Sequence, residues 1–152
     1  MVDNIAHNDR ARYDYEILDT YEAGLVLTGQ EVKSCKFGGL KLKGSHVVFR
    51  GKDAWLLNAH ISKYAKAGPL PEYDPEHSRK LLLRAAELTK LRKKLEVQGL
   101  TIVPIRGYLK GGRIKVEIGL ARGKKVYEKR ESIKKRDVER ELRGHLKRSN
   151  RG

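Results

Sequence analysis

The sequence predicts a mainly β domain with inserted helices, followed by a basic C-terminal tail. Three observations predict it. Residues 113–121 alternate strictly, with Ile114, Val116, Ile118 and Leu120 on one face and Lys115 and Glu117 on the other. Shorter alternating stretches recur between turn-forming residues along the first two thirds of the chain. The charge then jumps: residues 122–152 carry 13 basic and 5 acidic side chains, against 10 and 8 in residues 1–70 and 11 and 6 in residues 71–121.

In chain order, residues 13–27 read as strand, because Tyr13, Tyr15 and Ile17 alternate with Asp14 and Glu16, and Leu25 and Leu27 follow Gly24. Thr28 to Ser34 reads as a short helix, with Thr28 as N-cap and Glu31 three residues on. His46–Arg50 and Ala54–Asn58 read as two strands around the turn Gly51-Lys52-Asp53. The run Gly68 to Pro75 holds three of the four prolines and reads as a surface loop. A helix is predicted over Ala85–Gln98, with Leu88, Leu91 and Leu95 on one face and Gly99 as its stop. Gly111-Gly112 then joins 100–109 to 113–121 as a hairpin. Pro104 requires its strand to be an edge there or to be bulged. About six strands with two or three helices favour an OB-like antiparallel barrel. The organisation expected is a basic N-terminal arm over 1–12, the barrel over 13–122 and a basic tail over 123–152. Beyond Val126 only Ile133, Val138, Leu142 and Leu146 are aliphatic, so the tail is expected to be a fraying helix or disordered when free, becoming helical against phosphates.

Composition narrows the partner. A formal charge of +15 and a pI near 10.0 favour a polyanion, whose binding releases counterions. Nucleic acid is favoured over a membrane surface, since no cationic apolar-faced anchor appears. Cys35 is the single cysteine, which excludes a disulfide framework within one chain and suits a reducing compartment. The first residues lack the apolar run of a signal peptide, and no stretch approaches the roughly 18 apolar residues a membrane helix needs. A soluble, cytoplasmic chain is expected.

Catalytic patterns are missing. The five histidines are scattered, with no His-Glu-x-x-His, and no Gly-x-Ser-x-Gly elbow occurs. Gly107 to Ile114 only approximates a phosphate loop: Arg113 and Ile114 stand where Lys and Ser/Thr are needed, and a hairpin replaces the required helix. No catalytic residue, metal or cofactor is expected. Glu22, between Tyr21 and Ala23-Gly24 at a strand junction, reads on sequence alone as a solvated turn carboxylate.

Read as whole motifs, the chain says more. Asn8 to Tyr15, Tyr21 to Ser34, Arg79 to Leu83, Gly99 to Pro104, Lys115-Val-Glu, Leu120 to Lys125, and Tyr127 to Arg130 followed by Ile133 to Arg136 occur in order. This series resembles the SsrA-binding protein family (small protein B). The resemblance implies an OB-like barrel that binds the tRNA-like domain of transfer-messenger RNA. It also implies delivery with elongation factor Tu to stalled ribosomes, the tail entering the empty decoding centre of the small subunit and the mRNA channel. It further implies RNA contacts at Asn8, Arg10, Arg12, Glu22, Leu82, Lys115, Arg122, Lys124 and Lys125. It assigns Tyr127, Glu128, Lys129 and Arg130 to the ribosome, and a monomer is expected when free. A carboxylate such as Glu22 can accept hydrogen bonds from bases or 2′-hydroxyls. Leu82 could pack on an unstacked base or belong to the core. Asp9, His77, Cys35 and Gly107 depart from the family pattern. A general single-strand binder would instead stack bases on exposed aromatics, for which Tyr108 and Trp55 are the free candidates. A ribonuclease would need an acid and a base at the scissile phosphate.

Overall fold

The structure, a computed structural model, describes residues 2–124. The expectations for the tail, including Lys125, Tyr127, Glu128, Lys129 and Arg130, lie outside the described residues. Within them the elements run β1 (Val2–His7), α1 (Asp9–Asp14), β2 (Tyr15–Leu25), α2 (Gly29–Lys36), β3 (Leu40–Lys41), β4 (His46–Arg50), β5 (Asp53–Leu57) and β6 (His60–Ile61). A 3-10 turn at Ala65–Ala67 precedes β7 (Arg79–Leu82), α3 (Ala85–Leu95), β8 (Leu100–Lys110) and β9 (Arg113–Gly123).

Seven strands form one antiparallel sheet in the order β1-β8-β9-β2-β7-β5-β4, and β3 pairs with β6 in a small second sheet. The large sheet curls so that β4 comes back against β8, although the hydrogen-bonded ladder stays open. An OB-like architecture fits this arrangement. Strand alternation fills the interior: Ile114, Val116, Ile118 and Leu120 point inward with Ile102, Leu56, Leu81 and Leu42, all at most 4% exposed. Full burial of each such side chain is worth about 1.5–3 kcal/mol.

The hairpin forms as its sequence requires, with Gly111 and Gly112 at φ +58° and +76° in the two-residue turn. Pro104 is accommodated in both expected ways. The β8–β9 register slips between Pro104 and Arg106, and β1 stops opposite Arg106 before it reaches the proline. Helix α3 carries Leu91 fully buried with Leu88 and Leu95 against the core. It ends at Leu95, three residues short of expectation, and Gly99 at φ +86° turns the chain into β8.

Three expectations are corrected. Tyr13 lies in α1 and not in a strand; β2 starts at Tyr15. The alternation of Tyr13 with Tyr15 mimicked strand periodicity across a helix too short to show its own. Residues 2–12 are not a free basic arm: β1 pairs along β8, Ile5 and Ala6 pack on the core, and Asp3 and Asp9 offset Arg10 and Arg12. Pairing here covers a sheet edge that would otherwise invite another strand. The described strands number nine rather than about six, because β3 and β6 are two residues each and β1 lacks a clean pattern.

The capping box expected at Thr28 is present, with Glu31 accepting from the Thr28 backbone at 3.1 Å. The same carboxylate reaches into the interior. Its other oxygen accepts from Arg79 Nε and Nη2 at 2.9 and 2.7 Å, and both side chains are at most 1% exposed. Arg79 also donates to the carbonyls of Ala59, Pro75 and His77 at 2.8, 2.8 and 3.1 Å, so residues 59–77 wrap around one guanidinium. His77 Nε2 lies 2.9 Å from the same Glu31 oxygen. Burial alone would raise the Glu31 carboxyl; the Thr28 backbone and the Arg79 guanidinium outweigh it and hold the pKa at about 2. Cys35, fully buried nearby, has its thiol pushed up to about 12 by that burial.

Breaking this pair is expected to be costly. Arg79→Met leaves Glu31 as an uncompensated buried charge and should lose about 3–5 kcal/mol, read from urea unfolding. Because the unfolded Glu31 protonates near 4.5 and the folded one near 2, its contribution is fully present above pH 4.5 and is lost as pH falls through about 2. Glu31→Gln should therefore flatten the stability profile between those limits; an unchanged slope would contradict the assignment.

Candidate nucleic-acid interface

The register of β2, β8 and β9 assembles a polar patch on the outer face of the sheet, opposite the core. Glu22 sits across from Glu117, Gly24 across from Lys115, and Tyr108 across from Lys115 on the other side. Glu22 is therefore in mid-strand and not in a turn. The Tyr108 hydroxyl donates to Glu22 Oε2 at 2.5 Å, and Lys110 Nζ lies 3.1 Å from the same oxygen. These two hydrogen bonds, the tyrosine's first, hold the carboxyl below its usual range against a smaller opposing effect of burial. Glu22 is thus a fixed anion whose side chain remains 40% exposed, able to accept donors from a base or ribose.

Tyr108, expected as a free stacking aromatic, is not free. It is 3% exposed although it points away from the core. The Arg106 guanidinium covers its ring at 4.5 Å from the centroid, and Glu22 holds its hydroxyl. Trp55 is half-buried with Arg50 5.4 Å from its ring centroid.

Leu82 resolves in favour of the surface. Leu81 is buried at 2% and Leu83 packs on the core, whereas Leu82 is 54% exposed. It pairs with Gly24, and a Cβ on that glycine would sit 3.3 Å from Leu82 Cβ and 3.6 Å from Lys115 Nζ. The missing side chain lets Leu82 and Lys115 meet over bare backbone. They line a cleft of about 180 Å³ whose floor is Gly24 and Leu25 and whose far wall is Val32 of α2. Glu22, two residues before Gly24 on β2, lies outside the cleft but on the same face, so the registers bring together three residues separated by up to 93 positions in the chain.

The other candidate residues gather at the opposite end of the β2–β9 ladder. Ala11, Val103 and Ala121, with Tyr15 and Ile17, form a small second core that seats α1. Lys124 is tied to this end: its backbone N–H donates to Asp14 O and its Nζ to Arg12 O, both at 2.8 Å. Arg10 pairs with Asp14 at 3.4 Å and lies 4.7 Å from the Tyr13 ring centroid, its side chain 60% exposed. Arg122 pairs with Glu16. Asn8 acts structurally, donating through its side chain to Pro104 O at 2.9 Å and through its backbone to Ile105 O at 2.8 Å. Gly24 pairs with Lys115 and Glu16 with Arg122, eight positions apart on β2, so the two groups stand roughly 25 Å apart along the strand.

Sequence reasoning missed Tyr108, Lys110 and Gly24 as parts of this patch. The signal was available for the first two: a two-residue turn at Gly111-Gly112 fixes Lys110 opposite Arg113 and Tyr108 opposite Lys115. Among the described residues no cluster of His, Cys, Asp and Glu could hold a metal ion, and no helix is long and apolar enough to cross a membrane.

Comparison with known proteins gives a consistent result. A family model described as SmpB protein matches residues 5–148. The chain is 50% identical over 143 residues to an SsrA-binding protein of Trichodesmium erythraeum, covering 94% of this chain and 92% of the relative. It is 49% identical to one from Solidesulfovibrio magneticus (95% and 93% covered) and 48% identical to one from Roseiflexus castenholzii (94% and 90% covered). A solved chain described under the words "tmRNA-SmpB: a journey to the center of the bacterial ribosome" superposes with a TM-score of 0.65 at 48% identity, over 79% of this chain and 84% of that one.

Tyr108→Phe keeps the ring and removes the hydroxyl that anchors Glu22. The Glu22 carboxyl should then titrate closer to the ordinary carboxylate value, followed by carboxyl-carbon NMR. An unaltered titration would show that the hydroxyl does not govern it.

Proposed function

The chain belongs to the SmpB protein family, and from that premise we propose that it binds the tRNA-like domain of transfer-messenger RNA and brings it to stalled ribosomes for trans-translation. The observation that carries this reading is the junction of Glu22, Leu82 and Lys115 on one rigid outer face. An anion, an exposed aliphatic and a cation side by side recognise more than charge. Lys115 meets phosphate, Leu82 covers an unstacked base or sugar, and Glu22 selects a hydrogen-bond donor. The burial of Tyr108 removes one of the two aromatics on which a general single-strand binder would rely.

A cationic group roughly 25 Å away along the strand, Arg10, Arg12, Arg122 and Lys124, holds the backbone of the same RNA, with Lys125 extending it. Asn8 contributes indirectly by fixing α1 against β8. The tail works elsewhere: Tyr127, Glu128, Lys129 and Arg130 enter the decoding centre of the small ribosomal subunit in place of codon–anticodon pairing. Elongation factor Tu accompanies the complex during delivery. The protein is a cytoplasmic monomer when free and acts by binding, without catalysis.

A gel shift comparing transfer-messenger RNA, ordinary tRNA and a single strand at fixed salt tests the reading; equal affinity for all three would refute it. Lys115→Ala should weaken binding and make the slope of log K against log salt shallower by roughly 0.7–0.9. Glu22→Ala should weaken binding without making the slope shallower, because it removes a negative charge. Deleting residues after Val126 should leave affinity for transfer-messenger RNA nearly intact while abolishing tagging of stalled products.

A further inference from the structure

The even charge of the first half of the chain conceals a sharp division. Residues 1–31 hold two basic and seven acidic side chains, whereas residues 32–71 hold eight basic and one acidic, Asp53. No carboxylate occurs from Val32 to Lys52 or from Ala54 to Pro71. The acid-poor part spans the end of α2, strands β3 to β6 and the loop after them; the chain then returns against β6, where Glu76 pairs with His60 at 3.6 Å.

Phe37 follows Lys33 and Lys36, the basic residues of the last turn of α2. At 78% exposed it is the most open large hydrophobic side chain among the described residues. Its position is nonetheless fixed. Phe37 is the C-cap of α2, and the helix closes with three hydrogen bonds, Phe37 N–H to Ser34 O at 3.1 Å, Gly38 N–H to Cys35 O at 3.2 Å and Gly39 N–H to Ser34 O at 2.8 Å. Gly38 takes φ +85°, and a Cβ on Gly39 would fall 2.0 Å from Ser34 Oγ, so the turn admits little variation. One side of the Phe37 ring stacks on Tyr64, with centroids 5.9 Å apart and planes at 16°. Tyr64 is held in turn by its backbone N–H donating to Gln30 Oε1 at 2.9 Å, and Lys33 Nζ lies 5.8 Å from its ring.

We propose that this aromatic pair is a second RNA-binding site, on which an unpaired base of single-stranded RNA stacks against Phe37 while Lys33 and Lys36 take the flanking phosphates. Stacking needs a flat, pre-positioned ring with one open side; phosphate needs cations without competing carboxylates. Phe37 and Tyr64 supply the first, and Lys33, beside the Tyr64 ring, with Lys36 in the last turn of α2 supplies the second. An apolar peptide would find the same ring but gain nothing from the surrounding cations. The site is independent of the tRNA-like reading, since it shares no residue with the Glu22–Leu82–Lys115 patch.

The test is fluorescence anisotropy of the full chain with a labelled oligoadenylate hexamer at several salt concentrations. Phe37 buries little, so Phe37→Ala should fold normally, as thermal unfolding will verify. It should weaken hexamer binding about fivefold or more with the salt slope unchanged, and Phe37→Trp should restore it. Lys33→Ala should weaken binding and make the slope shallower. In NMR spectra the Phe37 ring protons should move upfield when the hexamer binds. Wild-type hexamer affinity in both Phe37→Ala and Lys33→Ala would overturn the proposal. So would equal loss of a blunt duplex of the same length in Phe37→Ala, or loss of self-association there with hexamer affinity unchanged.

Discussion

A single buried ion pair sets the phase of the elements that carry both surfaces. Arg79 points inward on β7 to meet Glu31, and in a strand the side chains then alternate: Lys80 out, Leu81 in, Leu82 out. A slip of one residue would bury Leu82 and expose the guanidinium. On the helical side Glu31 fixes the rotation of α2. With Glu31, Ser34 and Cys35 buried, Val32 turns to the cleft beside Leu82, and Lys33 and Phe37 turn toward Tyr64. Such a pair gains little net energy over apolar residues of similar volume, because both charges are stripped of water. Its value is specificity: few other arrangements satisfy a guanidinium with one carboxylate, three carbonyls and a tyrosine hydroxyl.

The outer patch applies the same chemistry under milder conditions. Glu22 is held by a tyrosine and a lysine but stays wet, so its hydrogen-bonding capacity is divided between the protein and whatever docks. Tyr108 contributes no open ring face; it orients the carboxylate. If RNA docks here as proposed, the anion costs electrostatic attraction, and the compensating gain is discrimination, since only a donor can occupy its free lone pairs. In the proposed complex the cations at the other end of the ladder would supply affinity without that selectivity.

Much of this was legible in the sequence where the determining residues lie close together. The β8–β9 hairpin, the Thr28–Glu31 capping box and the outward position of Lys115 each follow from residues within a dozen positions. The second role of Glu31 was not legible, because Arg79 lies 48 residues away and nothing local distinguishes a capping glutamate from a buried one. Leu82 could not be placed inside or outside until the phase of β7 was known. Tyr108 was misjudged for a different reason: its pairing with Lys115 turns it away from the core, but the side chains of Arg106 and Glu22 bury it. Phe37 attracted no notice because a lone phenylalanine at a helix end has no periodicity to announce it.

The pairing of β1 along the edge of β8 has a practical side. Val2 lies opposite Lys110, the lysine that grips Glu22. Any affinity handle or fluorescent protein fused ahead of Val2 would therefore emerge beside the Glu22 patch, with β1 as a taut anchor that prevents it from swinging clear. Purification schemes that leave such a fusion in place would place bulk at the mouth of the docking surface and register the obstruction as weak binding.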